Sequence, residues 1–339
     1  MIIRTLLLLM LSYTTITAMA QGGSDNKNLY ESGKAFMYKG DYENAVLVLN
    51  RASKQDPGNM AIQEDLAYTY YLKKDYANAI EASKKLIGHK NADASSYKML
   101  GMCYKAIAEY KECEKLYKKA LKQFPKSGVL YNEFGELYAM QSNLDEAIRY
   151  WEKGIEVDPN ISTNYYNASR YYDNKNNLLW SVIYGELFLN LESLSDRTVI
   201  MKNIVTDNYK ALLANPGMLK GYETQGSPFT KAVAGVLAKH LDLLSEGITP
   251  ESLTTVRTRF VLDWFNQYAA QYPFRLFDHQ RQLLQEGLFD AYNQWLFTAA
   301  ASPDAYQTWV SAHSQENENF LKLQRSRVFK VPENQHYEH

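Results

Sequence analysis

Five times along the chain a small residue is followed three positions later by an aromatic one: Gly33 and Phe36, Ala67 and Tyr70, Gly101 and Tyr104, Gly135 and Tyr138, Ser169 and Tyr172. The small residues stand 34 positions apart with no insertion. A second small residue follows twelve places after the first, at Ala45, Ala79, Cys113, Ala147 and Ser181. Short polar stretches such as Lys39-Gly40-Asp41 and Lys73-Lys74-Asp75 separate the two. This pattern predicts two amphipathic helices of about a dozen residues in each unit. Antiparallel helices approach closely only where side chains are small, and aromatics three or four residues away share that face and fill the space beside the crossing. Pro57, Pro125 and Pro159 close three copies in register, because proline after a helix cannot continue it.

These residues resemble the tetratricopeptide repeat (TPR) family. The third copy reads Tyr97, Leu100-Gly101, Tyr104, Glu109, Cys113, Tyr117, Ala120 and Pro125. The fourth reads Tyr131, Phe134-Gly135, Tyr138, Ala147, Trp151, Gly154 and Pro159. The second departs late, with Ser83, Leu86 and Asn91, and the fifth is degenerate, with Ala168-Ser169, Gly185 and Phe188. The repeats are read as 26–59, 60–93, 94–127, 128–161 and 162–195. The resemblance implies an all-α chain: a right-handed superhelical solenoid of about five helix pairs, followed by an α-helical C-terminal domain.

After Ser193 the 34-residue register is lost. A capping helix is expected over 196–214, then a loop at Asn215-Pro216-Gly217, Gly221 and Gly226, and a helical domain over 215–339. Ser227-Pro228, Thr249-Pro250 and Ser302-Pro303 each place a hydroxyl at the N-cap and proline in the first turn. The expected helices are 228–245, 250–271, 276–300 and 303–325. Aromatic stripes such as Phe260, Trp264 and Tyr268 read as core.

The first twenty residues read as an export signal. Arg4 precedes an apolar stretch from Leu6 to Ile16, and Ala18-Met19-Ala20 supplies the small-x-small cleavage pattern before Gln21. No Cys follows the apolar stretch, so the signal is not that of a lipoprotein. Its form looks bacterial, and a periplasmic or secreted location is expected. No other segment reaches the ~20 apolar residues of a membrane span. The balance of 37 Lys+Arg against 38 Asp+Glu argues against bulk electrostatic binding to nucleic acid or an anionic membrane. The seven lysines between Lys105 and Lys126 read as a solvated helix face.

Candidate chemistry is sparse. There is no His-Glu-x-x-His, Cys-x-x-Cys, Gly-x-Ser-x-Gly or phosphate-cradling glycine loop. No cofactor, metal or catalytic residue is expected, and the chain is read as non-enzymatic. Cys113 occupies a small packing position, and Cys103 lies about 200° around the helix from Gly101, so the pair is not read as a disulfide.

The resemblance implies that the first helix of each pair lines a concave groove. The groove positions carried over include Asn132, Glu136, Ala139 and Met140 in the fourth repeat, and Tyr166, Arg170, Asp173 and Asn174 in the fifth. The partner-binding residues expected there are Tyr30, Lys34, Tyr38, Tyr68, Tyr71, Lys98, Lys105, Tyr166 and Arg170. The fixed Lys-Asn-Asn-Lys-Arg carboxylate clamp of some family members is absent. The leading expectation is a scaffold for a peptide or protein partner. Glycan or small-ligand binding on the tyrosine-lined face is one alternative, and hydrolase activity in 215–339 is another. Nineteen of the 27 tyrosines fall in 26–195, mostly at family packing positions, so the tyrosine excess is mainly architectural.

Overall fold

The computed structural model describes residues 26–337; residues 1–25, which include the expected signal at 1–20, and residues 338–339 lie outside the described residues. Among the described residues every regular element is a helix. The chain divides into two compact units between Pro125 and Lys126, inside the repeat array.

The first unit holds α1 (26–38), α2 (Tyr42–Gln55), α3 (Met60–Leu72), α4 (Tyr76–Gly88), α5 (Ala94–Ala106) and α6 (Tyr110–Gln123). The small positions do what their spacing predicts: Ala45, Ala67, Ala79 and Cys113 are fully buried. At Gly101 an added Cβ would enter the Tyr117 ring, so the crossing of α5 and α6 depends on the missing side chain. Both thiols are free and buried. Cys113 Sγ donates to the Gly101 carbonyl at 3.5 Å, and burial pushes the Cys103 thiol up to about 11.

Each turn inside a helix pair repeats the same backbone device. Gly40, Lys74, Ala108, Ser142 and Asn176, spaced by 34 residues, all take positive φ, between 57° and 77°. The next residue is the N-cap of the second helix: Asp41, Asp75, Glu109, Asn143 and Asn177. Four of these side chains accept the backbone N–H three residues on, and Glu109, one methylene longer, does not.

The second unit opens with two further pairs, α7 (Gly128–Met140) with α8 (Leu144–Val157) and α9 (Ser162–Asn174) with α10 (Leu178–Leu191). Helix α10 is buried continuously from Leu178 to Leu189. A helix apolar on all sides needs cover on all sides; α9 supplies part of it and the chain that follows supplies more, as α11 (Asp196–Leu213), α12 (Pro216–Gln225), α13 (Pro228–Ala238), α14 (Pro250–Gln267), α15 (Arg275–Gln285) and α16 (Phe289–Phe297), with α17 (Pro303–Ala312) and α18 (Ser314–Ser326) packed on α16. One core runs through this unit from Ala147 and Trp151 to Phe320 and Val331.

Several expected boundaries are corrected. The loop expected at 215–226 is helix α12, because Asn215 caps it by accepting from Met218 N–H and Pro216 fills its first turn. The helix expected over 228–245 ends at Ala238, with a 3-10 turn at Leu241–Leu244. The helix expected over 250–271 ends at Gln267. The helix expected over 276–300 is two. Gly287 takes φ +69°, Leu288 N–H bonds the Leu283 carbonyl and Gly287 N–H bonds that of Leu284, which is a Schellman stop. The helix expected over 303–325 breaks at His313.

Candidate partner-binding surfaces

In the first unit the expected residues sit on α1, α3 and α5. Tyr30 Oη donates to Asp65 Oδ2 at 2.8 Å, tying α1 to α3, and both burial and Asp65 raise its pKa. Lys34 pairs with Glu31 at 3.8 Å and lies 5.1 Å from the Tyr30 ring centre. Tyr38 is 77% exposed and projects from the end of α1. Tyr68 and Tyr71 stack with centroids 6.3 Å apart, and Tyr71 meets Tyr76 edge-on at 5.8 Å. Burial raises the Tyr71 hydroxyl and the nearby Lys105 ammonium partly offsets it. Lys105 itself is only 8% exposed, so its stem is packing material more than a groove cation. Lys98 is half-buried on α5.

The second unit has a groove of ≈ 610 Å³ between its first-position helices. It is lined by Glu136, Ala139 and Met140 of α7, Leu144 and Trp151 of α8, and Asn167, Arg170, Tyr171, Asp173 and Asn174 of α9. Six of these ten are the positions carried over from the repeat family. Behind the lining, Asn167 Nδ2 donates to Oδ1 of the buried Asn132 at 3.0 Å, and Asn132 Nδ2 donates to Glu136 Oε1 at 3.1 Å. Tyr171 Oη donates to Asp145 Oδ1 at 2.9 Å, while Lys175 pairs with the same carboxylate at 2.7 Å. Arg170 is exposed and makes no ion pair among the described residues; its guanidinium lies 5.5 Å from the Tyr166 ring centre.

Tyr166 does not open onto this groove. It is 8% exposed, packed on Phe188 at 5.1 Å, with the Arg197 guanidinium 4.9 Å from its ring centre. Arg197 belongs to α11 and is held there by Glu192, whose two oxygens it meets at 3.0 and 2.6 Å. The 34-residue register assigns Tyr166 to the groove, but the extra helix covers it. Asn167 and Tyr171 line the groove without having been expected there. Each follows an expected position by one residue, about 100° around the helix, so the lined face of α9 is wider than the carried-over positions. Met140 and Leu144 add apolar surface at the mouth.

A fully buried ion pair lies elsewhere, inside the second unit. Glu186 is fully buried and pairs with Arg257; it also accepts from Gln280 Nε2 and Tyr292 Oη at 2.8 Å each and from Tyr209 Oη at 3.0 Å. Arg257 bonds Asn293 as well. Both carboxylate oxygens are engaged, so the cluster holds helices together and leaves no acceptor for a substrate. Among the described residues no group of three or more His, Cys, Asp or Glu is placed to hold a metal ion. No helix among them is long and apolar enough to cross a membrane.

Comparison with known proteins agrees with the repeat reading. Family models described as tetratricopeptide repeat match residues 30–95, 99–127 and 116–149. Human tetratricopeptide repeat protein 21B is 28% identical over 120 residues, 35% of this chain, and the match spans 9% of that protein's length. Among solved structures, MamA is 25% identical, with a TM-score of 0.38 over 48% of this chain and 94% of its own. A thermophilic TPR protein of Thermus thermophilus is 18% identical, with a TM-score of 0.44 over 56% of this chain and 99% of its own.

Proposed function

From a chain whose residues 30–149 carry tetratricopeptide repeats, we propose a non-enzymatic, exported scaffold that holds an extended peptide or protein segment in the groove between α7 and α9. The observation that carries this reading is the makeup of that groove. Asn167 and Asn174 offer amides to a main chain, Met140 and Leu144 offer adaptable apolar surface, and Arg170 offers a guanidinium without an ion pair. A peptide strand with a carboxylate side chain meets all three. Glu136 and Asp173 disfavour a uniformly acidic ligand.

The test is capture from the native cell with the groove altered. Arg170→Glu combined with Met140→Ala is expected to weaken partner recovery about tenfold or more, as loss of a charged anchor in an interface does. Unchanged recovery would remove the groove from the account. The export part has its own readout: intact mass of the protein from its native envelope is expected to start at Gln21, and a chain still beginning at Met1 would end it.

A further inference from the structure

After α18 the chain runs without helix from Arg327 to Tyr337 across the second unit. Its side chains alternate like those of a bound strand: Val328 is 76% exposed, Phe329 9%, and Val331 4%, with Lys330 pointing to solvent. Asn160, in the turn between α8 and α9, reads one residue of this segment through its main chain alone. Val331 N–H donates to Asn160 Oδ1 at 2.9 Å, and Asn160 Nδ2 donates to the Val331 carbonyl at 3.0 Å. Arg275 at the start of α15 adds one main-chain and one side-chain contact: its Nε donates to the Lys330 carbonyl at 3.2 Å and its backbone N–H to the side-chain Oε1 of Gln335 at 2.6 Å. The end of the segment is an aromatic plug. Tyr337 stacks on Phe229 at 4.3 Å, beside Tyr272 and Phe274, and donates to the Pro273 carbonyl at 2.7 Å.

These are the features of a peptide ligand on a receptor: an extended backbone, main-chain hydrogen bonds for affinity and alternate side chains in pockets for specificity. We propose that the face formed by Asn160, Arg275 and the Phe229, Tyr272 and Phe274 cluster is a recognition site for extended peptides. The chain's own residues 328–337 occupy it in cis, and a partner segment with an aromatic-x-aliphatic-proline stretch, as in Phe329-Lys330-Val331-Pro332, competes for it. This site is separate from the α7–α9 groove and does not rest on that reading.

The seat is also incomplete as a piece of core. Beneath Phe329 lies a cavity of ≈ 30 Å³, room for one water, bordered by His279, Ser193, Gln324 and Arg327. Buried His279 Nδ1 and Arg327 Nη1 have no hydrogen-bond partner there. A segment with no regular secondary structure of its own, held by side-chain bonds and three apolar or aromatic anchors, opens locally at lower cost than the helices it covers. Tethering supplies an effective concentration of order millimolar, so a free peptide of equal intrinsic affinity loses to the tail until the tail is weakened.

The test uses the full chain and a fluorescein-labelled synthetic peptide of residues 326–337. Phe329→Ala with Tyr337→Ala weakens the tail, and the peptide is expected to bind that variant at least about tenfold more tightly than the unaltered chain. Adding Asn160→Ala should reverse the gain. No binding to the variant, equal binding to both chains, or indifference to Asn160 would each overturn the proposal. Hydrogen exchange on the unaltered chain guards against a variant that merely unfolds. The Val331 amide is expected to exchange about 100-fold or more faster than the amides of α10, through local opening. Exchange as slow as α10 would make the tail a fixed part of the core and end the proposal.

Discussion

The two units spend the same repeat in different ways. In residues 26–125 the core is a thin seam, as in the cluster of Ala67, Ala79, Leu86, Met99 and Cys103 with Tyr70 and Tyr71 packed against it. In residues 126–337 the last pair is enclosed: α10 is buried on every side and one core extends through eight further helices. The first-position helices therefore keep their aromatic faces open in one unit, with Tyr38 and Tyr68 exposed, and lose part of that face in the other, where Arg197 covers Tyr166. A repeat register predicts where a side chain points, but its exposure is decided by what packs on it afterwards.

The enclosure has a price point that tests the contrast most severely. Glu186 on α10 is the single carboxylate that Arg257, Gln280, Tyr209 and Tyr292 converge on. Glu186→Ala leaves the Arg257 guanidinium buried and uncompensated, which costs about 3–5 kcal/mol. All five tryptophans, Trp151, Trp180, Trp264, Trp295 and Trp309, lie in residues 126–337. Urea unfolding followed by tryptophan fluorescence is therefore expected to shift strongly, and far-UV circular dichroism should retain a transition that the substitution leaves in place. If both signals shift together, the two units unfold as one and the contrast between them is not energetic. Replacing the pair with Glu186→Leu and Arg257→Met should recover only the part of the loss due to the unpaired guanidinium, because Gln280 and Tyr209 still lack their buried acceptor.

How far these features were legible in the sequence follows the same division. The period of 34, the small positions and the turn prolines are local packing rules, and Ala45, Gly101 and Cys113 behave as their spacing requires. The groove on α7 and α9 was legible to within one residue, since Glu136, Met140, Arg170 and Asp173 line it while Asn167 and Tyr171 enter beside them. Tyr166 was misplaced because its cover comes from Arg197, outside the repeat register. Asn215-Pro216-Gly217 read as a turn because proline and glycine punctuate chains, yet Asn as cap and Pro in the first turn are equally a helix start. The Glu186 cluster had no sequence signal at all: its members lie up to 106 residues apart and only the tertiary fold brings them together.

A smaller effect separates the units by pH. His279 in α15 is buried near Arg275 and Arg327, and desolvation together with those two cations lowers its pKa to about 3. The native state keeps the ring neutral while the unfolded chain binds a proton near pH 6.5. The unfolded state thus holds more protons between pH 6.5 and about 3, so stability falls as pH drops through that window. At pH 5 the loss amounts to about 2 kcal/mol. The tryptophan-reported transition is expected to lose that much between pH 7 and 5, and His279→Leu should flatten that part of the dependence. An unchanged slope in the variant would assign the acid sensitivity to other groups.

The smallest expected effect lies in the first unit and runs in the stabilising direction. Its third repeat is the one copy that combines a Cβ at the positive-φ turn position with an N-cap that makes no side-chain bond. Ala108 stands at φ +58° with a Cβ that resists that conformation, and Glu109 fails to cap α6, whereas Gly40-Asp41 supplies both a permissive backbone and a capping carboxylate. A left-handed conformation costs an ordinary residue ~1–2 kcal/mol, part of which glycine returns as greater freedom in the unfolded chain. A shorter acid at the N-cap gains ~0.5–1 kcal/mol by accepting the N–H of Glu112. Ala108→Gly with Glu109→Asp is therefore expected to stabilise the first unit by about 1 kcal/mol. The far-UV transition of that unit should move to higher urea while tryptophan fluorescence stays in place. A gain from Glu109→Asp alone equal to that of the pair would mean the turn at Ala108 is already relaxed, and the cap alone limits the third repeat.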